Sequence, residues 1–168
     1  MAEPNGTLVE ERLRVAAAPA ALDEFHAALD RFWGAAERLS PPGPEEAWRH
    51  EFATAVIEIG TNIVAHSRSA ERSPALVVFR LRLYDDRVEA CLLDRGIPFV
   101  EPPDQGADRP ALAVDDVASI PEGGYGLPIA RAALDGLRYR RSFHGTNFWH
   151  LVKRRAGVEG DTGDTARL

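Results

Sequence analysis

Apolar positions along the chain change their period several times, and each change marks an element. From Thr7 to Val15 β-prone residues alternate in part with charged ones, which predicts a first strand. From Ala20 to Leu39 the apolar residues Leu22, Phe25, Ala28/Leu29, Phe32 and Ala36 recur every three or four positions, the spacing of one helix face. Pro41, Pro42, Gly43 and Pro44 break the chain, and Glu45 and Glu46 then open a second helix, where carboxylates complement the helix dipole. That helix is expected to run to about His66, with Trp48, Phe52, Ala55/Val56, Ile59 and Ile63 as its apolar face.

The second half reads differently. Ala75 to Tyr84 is rich in β-formers, Asp85-Asp86 makes a turn, and Arg87 to Leu93 returns as the partner strand of a hairpin. Gly96 to Gly124 is rich in Pro, Asp and Gly and longer than most connections in compact domains, so it is expected to be either a functional, lid-like loop or partly disordered. Tyr125 to Leu137 reads as a third helix. Leu137 to Phe143 and Thr146 to Lys153 form a closing hairpin around His144-Gly145. Hairpin-paired strands with helices between them predict an α+β fold, a two-layer sandwich whose mixed, mostly antiparallel sheet is covered by helices on one face. Residues 1–155 are expected to form one domain and 156–168, poor in apolar residues, a disordered tail.

Composition narrows the class. The 168 residues are 45% hydrophobic and 27% charged, ordinary for a globular domain, and no apolar run approaches the roughly 20 residues of a membrane helix. The N-terminus is polar and acidic without an apolar signal core, so a cytoplasmic location is expected. A net charge of −6 argues against direct nucleic-acid binding as the main role. Two basic clusters, Arg138/Arg140/Arg141 and Lys153/Arg154/Arg155, read as solvated strand edges and ends, though an acidic partner would also suit them. The single cysteine, Cys91, can form no internal disulfide and reads as a small core residue.

Three segments bear chemistry. Glu58, Asn62 and His66 are spaced four apart and share one stripe of the second helix. A carboxylate there can orient or deprotonate an attacking hydroxyl, and an amide oxygen suits magnesium, which prefers oxygen ligands. Asp94-Arg-Gly96 follows an apolar strand. The acid can accept a hydrogen bond from an exocyclic amine such as adenine's, and Gly96 permits a tight turn or close ligand approach. Gly123-Gly124-Tyr125-Gly126-Leu127 precedes a helix, where free backbone N–H groups can meet phosphate oxygens. No Lys-Ser or Lys-Thr follows, so this is not a P-loop. Taken singly, each segment has a plainer reading, as a solvated helix edge or a turn.

Their order and spacing together resemble the N-box and the two glycine boxes of the GHKL ATPases, over roughly Thr7 to Arg155. Within that superfamily the stretch from Ala55 to His66, the Gly-Tyr-Gly-Leu turn and the ending Gly145-Thr146-Asn147-Phe-Trp-His-Leu-Val-Lys153 look like the anti-sigma factor/serine-protein kinases. The resemblance implies a Bergerat-type sandwich that binds ATP and magnesium. It implies Glu58 as the catalytic group, Asn62 as the magnesium ligand, and Asp94, Gly96, Gly124, Tyr125, Gly126 and Leu127 about the nucleotide. Thr146 sits where such proteins place a phosphate-contacting threonine. It implies as partners a STAS-type anti-anti-sigma protein, phosphorylated on serine or threonine, and a sigma factor held out of use, with a homodimer as the assembly. Pro128 and Gly60 depart from the pattern. Proline is tolerated in a first helical turn, whereas a mid-helix glycine costs about 1 kcal/mol relative to alanine.

Two other functions compete with this one. A non-catalytic module could use nucleotide only as a conformational ligand for binding a protein. A histidine-kinase catalytic domain would need a helical hairpin bearing a phosphoacceptor histidine. The 45 residues before the second helix already supply a strand and a helix, and His26 reads as a surface residue.

Overall fold

A computed structural model of the chain describes residues 6–39, 44–66, 75–100 and 126–155. Five strands and three helices follow in the order β1 (Val9–Ala16), α1 (Ala21–Glu37), α2 (Glu46–His66), β2 (Leu76–Leu83), β3 (Arg87–Asp94), α3 (Gly126–Ala133), β4 (Gly136–Arg141) and β5 (Asn147–Arg154). The strands form one sheet of order β1-β2-β3-β5-β4, antiparallel throughout. This is the expected α+β sandwich. The third helix is shorter than the sequence pattern predicts, because Gly136 and Leu137 already pair with Val152 and Leu151 in the sheet. The tail 156–168, residues 101–123 of the expected loop, and Gly124 and Tyr125 lie outside the described residues.

Strict alternation builds the core. Val77, Phe79, Leu81 and Leu83 on β2, Val88, Ala90 and Leu92 on β3, and Trp149 and Leu151 on β5 all point to one side. Against them α1 lays Phe25, Ala28, Leu29, Phe32 and Ala36, and α2 lays Phe52, Ala55, Val56, Ile59 and Ile63. Each large side chain so buried contributes on the order of 1.5–3 kcal/mol relative to exposure. Phe25 meets Phe79 at a centroid separation of 5.2 Å, joining α1 to the sheet.

Gly60 explains itself here. A Cβ at that position would stand 2.8 Å from the Phe25 ring, so the glycine lets α2 close onto α1. Trp48, on the margin of the core, donates its indole N–H to the Arg154 carbonyl at 2.8 Å. Lys153 lies on the helix side of β5, buried. Its Nζ donates to the Ala133 carbonyl at the end of α3 (2.7 Å) and pairs with Glu51 of α2 (2.7 Å). A cation suits a helix C-terminus.

The two basic clusters are therefore split by the sheet. Arg138, Arg140 and Arg154 face outward, while Arg141 and Lys153 face the helices. Cys91 also departs from expectation. Alternation on β3 sends Val88, Ala90 and Leu92 inward, so the half-buried thiol belongs to the outward face and not to the core. Among the described residues, no helix is long and apolar enough to cross a membrane.

Candidate functional site

At one end of the sandwich, a cavity of about 420 Å³ opens between α2, the start of α3 and the ends of β3 and β5. Asn62 and His66 of the polar stripe line it, as do Asp94, Gly126 and Leu127. The helical spacing of four has brought Asn62 and His66 to one side, and the strand end has brought Asp94 to meet them.

Asp94 is buried, and its surroundings fix its orientation. Its Oδ1 accepts from the Gly96 N–H at 2.7 Å, closing the turn after β3, and from Asn147 Nδ2 at 2.8 Å across the β3–β5 ladder. Among the described residues Oδ2 accepts no hydrogen bond, leaving one carboxylate oxygen for a ligand. Asn147 is held in turn. Its Oδ1 accepts from the Tyr139 hydroxyl (2.8 Å) and from Arg141 Nη1 (2.6 Å), and its Nδ2 also reaches the Ile97 carbonyl (3.0 Å). Tyr139 completes the chain by accepting from the Phe99 N–H at 3.0 Å. Gly96 is fixed by its own carbonyl, which accepts from Arg141 Nη1 at 3.0 Å.

One wall is aromatic. Phe99, Tyr139 and Trp149 pack mutually at centroid distances of 4.8–5.5 Å, and Phe99 and Trp149 line the cavity with Ile63, Ile97, Pro98 and Val100. A cavity of this size falls in the usual range for small-molecule sites, roughly 300–1,000 Å³, with mostly apolar walls and a few fixed polar groups. A flat heterocycle with an exocyclic donor fits both the wall and the open carboxylate oxygen.

Glu58 does not line this cavity. It lies one turn earlier on α2, at a groove between α1 and α2, with its carboxylate packed against the Cα of Gly126. A Cβ at position 126 would meet Glu58 Oε2, so a larger residue there would displace the end of the Glu58 side chain. Thr146 is not brought into the cavity either. It lines a neighbouring depression with Arg14, Leu93, Arg95 and Phe148 that also reaches Asp94, and its N–H donates to Ser142 Oγ at 3.0 Å. The residue of that hairpin turned toward Asp94 is Asn147. Sequence reasoning missed Asn147 as a site residue, together with Tyr139, Arg141 and the aromatic wall. Inward alternation of Asn147 and Trp149 was the available signal.

Residues 13–149 match the family described as histidine kinase-like ATPase domains. The chain belongs to that family. No curated protein matches it. As a histidine kinase-like ATPase domain, the protein is an ATP-binding unit of GHKL type. The cavity is the place in the described structure where the polar stripe of α2, the end of β3 and the start of α3 converge.

Proposed function

We propose that this histidine kinase-like ATPase domain is an ATP-dependent serine/threonine protein kinase that acts as an anti-sigma regulator. Its substrate would be a STAS-type anti-anti-sigma protein, and it would hold a sigma factor out of use. The observation that carries the reading is the arrangement of Glu58, Asn62 and Asp94. A cavity ends on a carboxylate with one open oxygen and is lined from α2 by an amide, and one turn earlier on α2 a second carboxylate stands outside it, beside Gly126.

In this reading the Asp94 Oδ2 accepts from the adenine amine, and the aromatic wall takes the ring. Backbone N–H groups at the start of α3 meet the phosphates. Asn62 Oδ1 supplies an oxygen to magnesium. Among the described residues no group of three or more His, Cys, Asp or Glu side chains is placed to hold a metal. Magnesium is commonly bound through one or two protein oxygens together with phosphates and water. The ion would neutralise phosphate charge. Glu58, beside Gly126, would orient or deprotonate the attacking hydroxyl, a contribution typically of about 10²- to 10⁴-fold in rate.

The test is Glu58→Gln, which keeps size and hydrogen-bonding capacity but removes the basic oxygen. Labelled phosphate from ATP should enter a co-purifying STAS partner with wild-type protein. The variant should bind ATP normally and transfer at least about 100-fold more slowly. Nucleotide binding without transfer by the wild type would favour the second reading, a nucleotide-gated binding module.

A further inference from the structure

Among the described residues, no helix covers the second face of the sheet. Cross-strand register arranges its side chains in rows. One row runs Arg14, Val78, Leu93, Phe148, Arg140 from the β1 edge to the β4 edge. The next runs Arg12, Arg80, Cys91, His150, Arg138. Two adjacent rows thus hold five arginines, a histidine and no carboxylate, on a chain whose net charge is −6.

Partners for this charge are few. The following row supplies two: Glu10 is shared by Arg12, Arg80 (2.8 Å) and Arg82 (3.0 Å), and Glu89 Oε2 lies 3.5 Å from His150 Nε2. Arg14, Arg138 and Arg140 make no ion pair among the described residues, and all three are exposed. Arg140 lies over the Phe148 ring at 5.0 Å. Between the arginine edges, Val78, Leu93 and Phe148 form a half-buried apolar strip, extended by Leu76, which is 43% exposed.

We infer that this outward face is a docking surface for an acidic, amphipathic segment of a partner protein, distinct from the nucleotide cavity. Charge complementarity selects the occupant. Like charges on an uncovered face raise the potential there and attract acidic ligands, and arginine with aromatic and aliphatic neighbours is the composition of protein-binding patches. The dimensions agree. Adjacent strands lie about 4.8 Å apart, so the two edge strands are separated by roughly 19 Å. A helix with side chains is roughly 10–12 Å across, which leaves an arginine row beside each flank. Such a helix would set its apolar stripe on Val78, Leu93 and Phe148 and its carboxylates against Arg12 and Arg14 on one side and Arg138 and Arg140 on the other. Stacking two copies of this face would oppose arginine to arginine. Single-stranded nucleic acid would want several stacking platforms, and these rows offer one phenyl ring, already covered by Arg140.

The experiment uses the full chain and four labelled probes: a helical peptide with a leucine stripe flanked by glutamates, a charge-matched peptide with serine for leucine, a single-stranded RNA, and vesicles of anionic phosphatidylglycerol. The amphipathic peptide should bind at least about tenfold more tightly than its serine counterpart. Arg12→Glu combined with Arg140→Glu should weaken that binding by at least about tenfold while ATP binding and the melting temperature stay unchanged. Phe148→Ala should weaken it as well. No peptide binding, equal binding of the two peptides, or indifference to charge reversal would overturn the inference. So would tighter binding of RNA or vesicles, or a wild-type dimer that the charge reversal dissociates, which would assign the face to those occupants instead.

Discussion

Asn147 Nδ2 donates to Asp94 Oδ1 at 2.8 Å, so the buried acid at the cavity is oriented by an amide from the neighbouring strand. The pairing leaves Asp94 Oδ2 open, and it rests on the further bonds that Tyr139 and Arg141 make to the other end of Asn147.

Replacing that amide by a carboxylate sets two acids against each other. Asn147→Asp should weaken ATP binding at neutral pH and recover it as the pH falls, because like charges favour one shared proton, and a protonated Asp at position 147 can again donate to Asp94. Calorimetric titrations across the acidic range would show this, against wild-type protein over the same range. Binding by the variant that does not improve on acidification would mean Asn147 does not orient Asp94.

Gly60→Ala pits helix propensity against packing. The alanine gains about 1 kcal/mol as a helix former, but its methyl meets the fully buried Phe25 ring, and overpacking costs typically 1–3 kcal/mol. We expect a net loss of roughly 1 kcal/mol in urea denaturation, relieved in part by Phe25→Leu. A stabilised Gly60→Ala would show that the two helices are not in the close contact described.

Burial on the outward face pushes the Cys91 thiol above its ordinary range, and the Glu89 carboxylate pushes it further. Thiolate is the reactive form. Alkylation of Cys91 in the folded protein should be slower at neutral pH than in the urea-unfolded chain, and should accelerate at higher pH than for a free thiol. The sign for stability follows. Below the unfolded thiol's pKa both states hold the proton. Above about 8.5 the unfolded chain releases it first, so this group lowers stability as pH rises. Equal alkylation rates in the two states would contradict the described burial.

Most of the fold was legible because period reports burial. Phe25, Phe32, Phe52 and Ile59 fell on predicted helix faces, and the strand pairs were announced by Asp85-Asp86 and His144-Gly145. The polar stripe was legible too, since spacing alone places Asn62 and His66 together. What failed to show was whatever depended on a second element. The reason for Gly60 lies on α1, and the side chain that Gly126 approaches, Glu58, lies on α2. The prominence given to Thr146 over Asn147 reflects a register that sequence does not state, because a shift of one residue exchanges the faces of a strand. The same blindness hid the arginine rows, which four different strands assemble.

The central claim is that an adenine nucleotide occupies the cavity that ends on Asp94. It is tested most directly by titrating ATP, ADP and GTP calorimetrically into the wild-type protein and Asp94→Asn. ATP and ADP should bind in the micromolar range. GTP should bind at least about tenfold more weakly, because guanine turns a carbonyl toward the Asp94 oxygen where adenine turns an amine. Asp94→Asn should lose affinity for ATP by a similar factor while keeping its melting temperature. Equal affinities for ATP and GTP, or an Asp94→Asn variant that binds ATP as the wild type does, would contradict the account.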